Sequence, residues 1–177
     1  DLFYPELRRI AVARMRDDDR IAYYPNLTSH RTALFDPQTQ YVVSTYRESR
    51  SAEAADVDLD GDMDILSVSD EIVAWHRNEG GTPPRFTRIV INDQLSGGRW
   101  VHADDLDGDG DMDIVSADNV QDTIIWYENL LAQPGELPSF AGYLVTGLAN
   151  GVRDVRSADV DRDGDMDLLA ASDSDNT

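Results

Sequence analysis

In the stretch "DVDLDGDMDILSVS", aspartates stand at every second position: Asp56, Asp58, Asp60, Asp62 and Asp64. Carboxylates this close repel one another, and aspartate forms neither helix nor strand well. The stretch therefore needs a partner that offsets its charge, or it is a solvated turn. Alternating carboxylates on a tightly turned loop converge on one point, which suits a calcium ion with its six to eight oxygens at about 2.3–2.6 Å. Gly61, sixth in the run, permits the sharp turn because it adopts a positive φ without steric cost. With Asp56 as position 1, the expected ligands are the carboxylates at positions 1, 3, 5 and 9 (Asp56, Asp58, Asp60, Asp64). Position 7 offers its backbone carbonyl, so the Asp62 side chain is expected to point outward.

The pattern occurs twice more, as "DLDGDGDMDIVSAD" and "DVDRDGDMDLLAAS". The second loop offers Asp105, Asp107, Asp109 and Asp113 with the Asp111 carbonyl. The third offers Asp159, Asp161, Asp163 and Asp167 with the Asp165 carbonyl. Three calcium sites are the expectation, since a metal-free acidic turn has no reason to repeat aspartate and glycine in register. An EF-hand is excluded, because position 12 is Ser67, Ser116 or Ala170 where that loop needs a bidentate glutamate. Zinc would call for His or Cys, and magnesium for stricter octahedral geometry with more water.

The wider composition agrees. The 177 residues carry 35 acids against 15 Lys and Arg, a net charge of −20. This disfavours nucleic acid and anionic membranes, whose binding needs basic clusters. Without cysteine there is no disulfide framework and no thiolate site. No run reaches the roughly 18 apolar residues of a membrane span. The chain starts at Asp1 without methionine and reads as a processed or excised piece.

What must hold these loops is a repeated set of strands. The loop starts are 49 and 54 residues apart, and a second motif ("IAYYPN", "VAWHRN", "IIWYEN") ends at Asn26, Asn78 and Asn129. A phenylalanine follows each (Phe35, Phe86, Phe140), then a β-branched run. Each unit of about 50 residues thus has four strand candidates: before the loop, after it, the aromatic run, and the run after the phenylalanine. In "VAWHRN", alternation puts Val73, Trp75 and Arg77 on one face and Ala74, His76 and Asn78 on the other. Four-strand repeats of this length predict an all-β chain of β-propeller-type blades, each of four antiparallel strands. Residues 1–50 form a degenerate unit without a calcium loop, 51–98 and 99–150 two complete units, and 151–177 a partial unit. Two complete and two partial units make a fragment of a propeller, or an open one whose edges another copy could complete.

The loop D-x-D-x-D-G-D-x-D, followed by an apolar strand and repeated with "I-x-W-Y-x-N…F", resembles the FG-GAP/VCBS repeat family. The resemblance covers nearly the whole chain from about residue 10. It implies a β-propeller, often seven-bladed, as in the integrin α-chain head and many secreted proteins. It also implies calcium held between the first two strands of a blade. The N-terminal unit, lacking the loop, departs from the family pattern.

Nothing chemically distinctive accompanies only one of the loops, and His30, His76 and His102 fall at unrelated repeat positions, so no catalytic residues are expected. Trp75 and Trp126 repeat strictly and read as packing between blades, while Trp100 is freer for a surface role. "NLT" at Asn26 is an N-glycosylation sequon and agrees with a secreted or cell-surface protein. The leading expectation is a non-catalytic extracellular calcium-binding module for recognition, adhesion or assembly, with a protein or glycan ligand. The alternatives are the carbohydrate-binding accessory propeller of a polysaccharide-acting enzyme and a subunit that self-associates into a filament or array.

Overall fold

The structure is a computed structural model that describes residues 21–23, 40–45 and 49–173. Asn26, His30, Phe35 and the first strand run of the N-terminal unit lie outside the described residues. Twelve strands are present among those described, and no helix long and apolar enough to cross a membrane.

β3 (Ser51–Ala55), β4 (Asp64–Val68), β5 (Val73–Asn78) and β6 (Phe86–Asn92) form one antiparallel sheet in sequence order. β7 (Gly98–Asp104), β8 (Asp113–Asp118), β9 (Thr123–Asn129) and β10 (Phe140–Thr146) form a second in the same order. β11 (Val152–Ala158) and β12 (Asp167–Ser172) make a two-stranded sheet, and so do β1 (Ile21–Tyr23) and β2 (Tyr41–Ser44). Among the described residues the fold is all-β, built from propeller-like blades that do not close into a ring. The four strand runs marked in the sequence are the four strands of each full sheet.

Each acidic loop joins the first strand of a sheet to the second. Its ninth residue opens the second strand and pairs with the residue just before the loop: Asp64 with Ala55, Asp113 with Asp104, Asp167 with Ala158. The apolar run after the last aspartate is therefore the anchor, and in β4 and β8 every residue is buried.

The core lies between the sheets. One cluster joins Leu66, Val73 and Trp75 of the first full sheet to Val101, Ile114 and Tyr127 of the second, with Phe140 packed edge-on to Trp75 at 6.4 Å. The next joins Val115, Ala117 and Ile124 to Val152 and Val155 of the two-stranded sheet. A sheet covered on both sides explains β5. The alternation separates two faces, yet Val73, Ala74, Trp75 and His76 are all buried. Trp126 is half-buried and stacks on Tyr143. Trp100 departs from the surface role expected for it: it packs against the second cluster, with the Arg156 guanidinium over its ring at 4.6 Å. The sequence could not show this, because the covering arginine lies one repeat away.

Candidate metal centres

The three loops share one backbone path. The sixth residue is left-handed in each, with φ of 95° at Gly61, 99° at Gly110 and 101° at Gly164. The fourth is left-handed too (Leu59, Gly108, Arg162). Only Gly108 marks that turn in the sequence; Leu59 and Arg162 adopt it against their side-chain sterics. The position 1 carboxylate accepts the glycine N–H in every loop: Asp56 from Gly61 at 3.0 Å, Asp105 from Gly110 at 3.1 Å, Asp159 from Gly164 at 3.3 Å. Position 5 accepts from the N–H of position 7 in every loop, at 2.9 Å for Asp60, 3.1 Å for Asp109 and 3.0 Å for Asp163.

Position 9 ties the loop to the sheet. Asp64 accepts from the N–H of Val57 at 3.1 Å, the indole of Trp75 at 2.8 Å and the N–H of Asn78 at 2.7 Å. Asp113 accepts from Leu106 at 3.2 Å and Asn129 at 2.8 Å, and Asp167 from Val160 at 3.0 Å. The asparagine ending β5 and that ending β9 complete the joint, donating Nδ2 to the position 8 carbonyl: Asn78 to Met63 and Asn129 to Met112, both at 3.1 Å. The recurrence of this asparagine was visible in the sequence; its partner was not.

Carboxylate oxygens converge to within 4.8 Å of one another in Asp56, Asp58 and Asp64, in Asp105, Asp107 and Asp109, and in Asp159, Asp161 and Asp167. Positions 1 and 3 thus meet in all three loops, position 9 in the first and third, and position 5 only in the second. Asp60 faces Arg77, with Nη2 3.5 Å from its Oδ2. Position 7 is exposed at Asp62 and Asp165. Asp111 instead turns inward and is buried, with its Oδ2 accepting from the Leu131 N–H at 3.4 Å. Two oxygens in these loops, Oδ1 of Asp58 and Oδ1 of Asp111, are buried with no hydrogen-bond partner. Asp58 belongs to the converging set of the first loop, and an orphaned anionic oxygen there fits a hard divalent cation.

Electrostatics point the same way. Burial pushes the Asp64 carboxyl up to about 7, against its three N–H donors, and Asp111 up to about 6, helped by Asp109. Asp56, Asp107 and Asp113 are also raised, chiefly by burial. Positive charge nearby would favour the ionised form of every one of these carboxyls.

The two described histidines make hydrogen bonds within the scaffold. His76 is buried with Nε2 2.9 Å from Ser67 Oγ, and burial and Arg88 lower it to about 4. His102 bridges three sheets, with Nδ1 3.2 Å from Glu53 and Nε2 2.8 Å from Ser157 Oγ. Ser157 donates its hydroxyl proton to Asp104, so the imidazole must act as donor toward that oxygen. A base poised to activate the serine would have the opposite polarity.

One protein family, described as FG-GAP-like repeat, matches residues 56–116 and 105–170. No curated protein and no solved structure matches the chain.

Proposed function

The chain belongs to the FG-GAP-like repeat family, and from that premise we propose that it is a non-catalytic calcium-binding repeat module working outside the cell. Its task is recognition, adhesion or assembly, with calcium fixing the loops at one end of its blades. One observation carries the reading. Carboxylates at positions 1 and 3 converge with a third carboxylate in each of three successive loops, and in the first the set includes a fully buried Asp58 whose Oδ1 has no partner.

In the first loop Asp56, Asp58 and Asp64 would hold the ion, in the second Asp105, Asp107 and Asp109, and in the third Asp159, Asp161 and Asp167. The position 7 carbonyls and the remaining carboxylates, Asp60, Asp113 and Asp163, complete the shell. Calcium supplies the positive charge that the crowded carboxylates lack. The chain's part is to pre-set that geometry through the two left-handed turns and the position 9 joint. Extracellular modules bind calcium with Kd as weak as about 10⁻⁴–10⁻³ M, so such sites fill outside cells and empty inside them.

Thermal unfolding tests the proposal. At about 100-fold saturation each site contributes about 2.7 kcal/mol. For a chain of this size that corresponds to a rise of about 5–10 °C per filled site. Calcium should therefore raise Tm strongly over EGTA, and equal magnesium should not. An unchanged Tm would remove the calcium reading.

A further inference from the structure

We propose that Arg77 is a built-in counter-cation of the first acidic loop: it weakens calcium binding there and ties that loop to the following blade when calcium is scarce. The inference rests on the calcium reading above and concerns what sets the affinity of one site against another.

Arg77 lies in β5, immediately before Asn78. Its Nε is 2.5 Å from Asp58 Oδ2, Nη2 is 3.5 Å from Asp60 Oδ2, and Nη1 is 3.6 Å from Glu79. Three carboxylates thus surround one guanidinium, and two of them belong to the loop. Asp58 is divided between two tasks. Its Oδ2 is held by Arg77, while its buried Oδ1 is left for the cluster with Asp56 and Asp64. A cation can bind at Oδ1 with Arg77 in place, but it then sits one carboxylate away from a fixed positive charge. A unit charge and a divalent ion about 6 Å apart in a water-like dielectric cost about a factor of ten in affinity.

The neighbouring repeat has the opposite sign. At the corresponding place, immediately before Asn129, stands Glu128, which adds its negative charge to the field at Asp107. The loops share a backbone path and differ here by two charges. The second is therefore the stronger site and the first the weaker.

Arg77 also reaches the next blade. Its Nη2 donates to the Gly135 carbonyl at 3.1 Å, and the Gly135 N–H donates to the Asp58 carbonyl at 2.6 Å. Gly135 lies between Asn129 and Phe140, a connection of ten residues against seven between Asn78 and Phe86. The longer connection folds back over the first loop and is fastened there by the guanidinium. With calcium absent, this pairing neutralises Asp58 and keeps the loop covered.

Calcium titration followed by ¹⁵N–¹H NMR tests this site by site. The Trp75 indole, bonded to Asp64, and the Gly61 amide report the first loop; the Gly110 amide reports the second. In the wild type, Gly110 should reach its midpoint at lower calcium than Trp75 and Gly61. Arg77→Glu should lower the first-loop midpoint about tenfold or more, leave Gly110 unmoved, and lower Tm in EGTA. Arg77→Gln, which removes only the charge, should move the midpoint the same way by about tenfold, and serves if the glutamate variant does not fold. Glu128→Arg should weaken the second loop about tenfold. First-loop midpoints within twofold of wild type in both Arg77 variants would overturn the assignment of Arg77 while leaving calcium binding intact. No calcium response at any wild-type resonance would remove the calcium reading, and this inference with it.

Discussion

At the scale of single residues, Asp64 and His76 pull the pH dependence in opposite directions. The Asp64 carboxyl, raised from 3.8 to about 7, binds its proton more tightly in the folded chain than in the unfolded one. With the loops empty, its contribution therefore lowers stability as pH rises from about 4 to about 7. Asp111 acts likewise up to about 6. His76, lowered from 6.5 to about 4, is neutral when folded and protonated when unfolded, so its contribution raises stability over that interval. Bound calcium would hold the carboxylates ionised and leave His76 to set the direction of the pH dependence. Acidification from pH 7 to pH 5 should thus lower Tm in calcium, whereas in EGTA the profile should be flat or rise; parallel profiles would contradict this. Asn129, fully buried, donates to the carbonyls of both Met112 and Val57. Asn129→Ala leaves both acceptors unpaired and should cost about 1–3 kcal/mol in urea unfolding, with or without calcium.

At the scale of elements, the tightest joint is where β7 begins. A Cβ on Gly98 would stand 2.2 Å from the Ser69 carbonyl oxygen, and the Gly98 N–H donates to the Asp70 carbonyl at 3.1 Å. The turn between β4 and β5 thus seats directly on the next blade's first strand. Gly98→Ala should cost at least about 1–3 kcal/mol by overpacking, read as a lower urea midpoint; a neutral result would mean that the joint can open. The strands themselves were legible in the sequence, because β-branched and aromatic runs recur between Asp, Asn and Gly punctuation. The loop positions were legible too, since calcium-type spacing and glycine placement are local properties. What stayed hidden is non-local. The alternation in β5 says which residues share a face, but not that both faces are buried. The inward turn of Asp111 depends on the Leu131 N–H, twenty residues on. The alternation put Arg77 on the face of Val73 and Trp75, and only the fold sets it against Asp58.

At the scale of the whole chain, stability resides at the boundaries between blades. Leu66, Val73 and Trp75 meet Val101, Ile114 and Tyr127 across one boundary, and Val115 and Ile124 meet Val152 and Val155 across the next. Repeats that bury each other's faces unfold in coupled neighbours. Hydrogen exchange should therefore be slowest in β4, β5 and β8 and fastest in β10 and β12, where Leu144 and Leu169 are exposed. Equal protection in β12 and β8 would show that the terminal sheet is buttressed in solution.

The cover over the first loop also has a consequence in time. Gly135, which closes on the Asp58 carbonyl, follows it by 77 residues along the chain. At about 5–20 residues per second, a ribosome takes about 4–15 seconds to deliver that glycine after the aspartate has emerged. The first acidic loop is thus born uncovered and is sealed only when the connection in the following blade arrives.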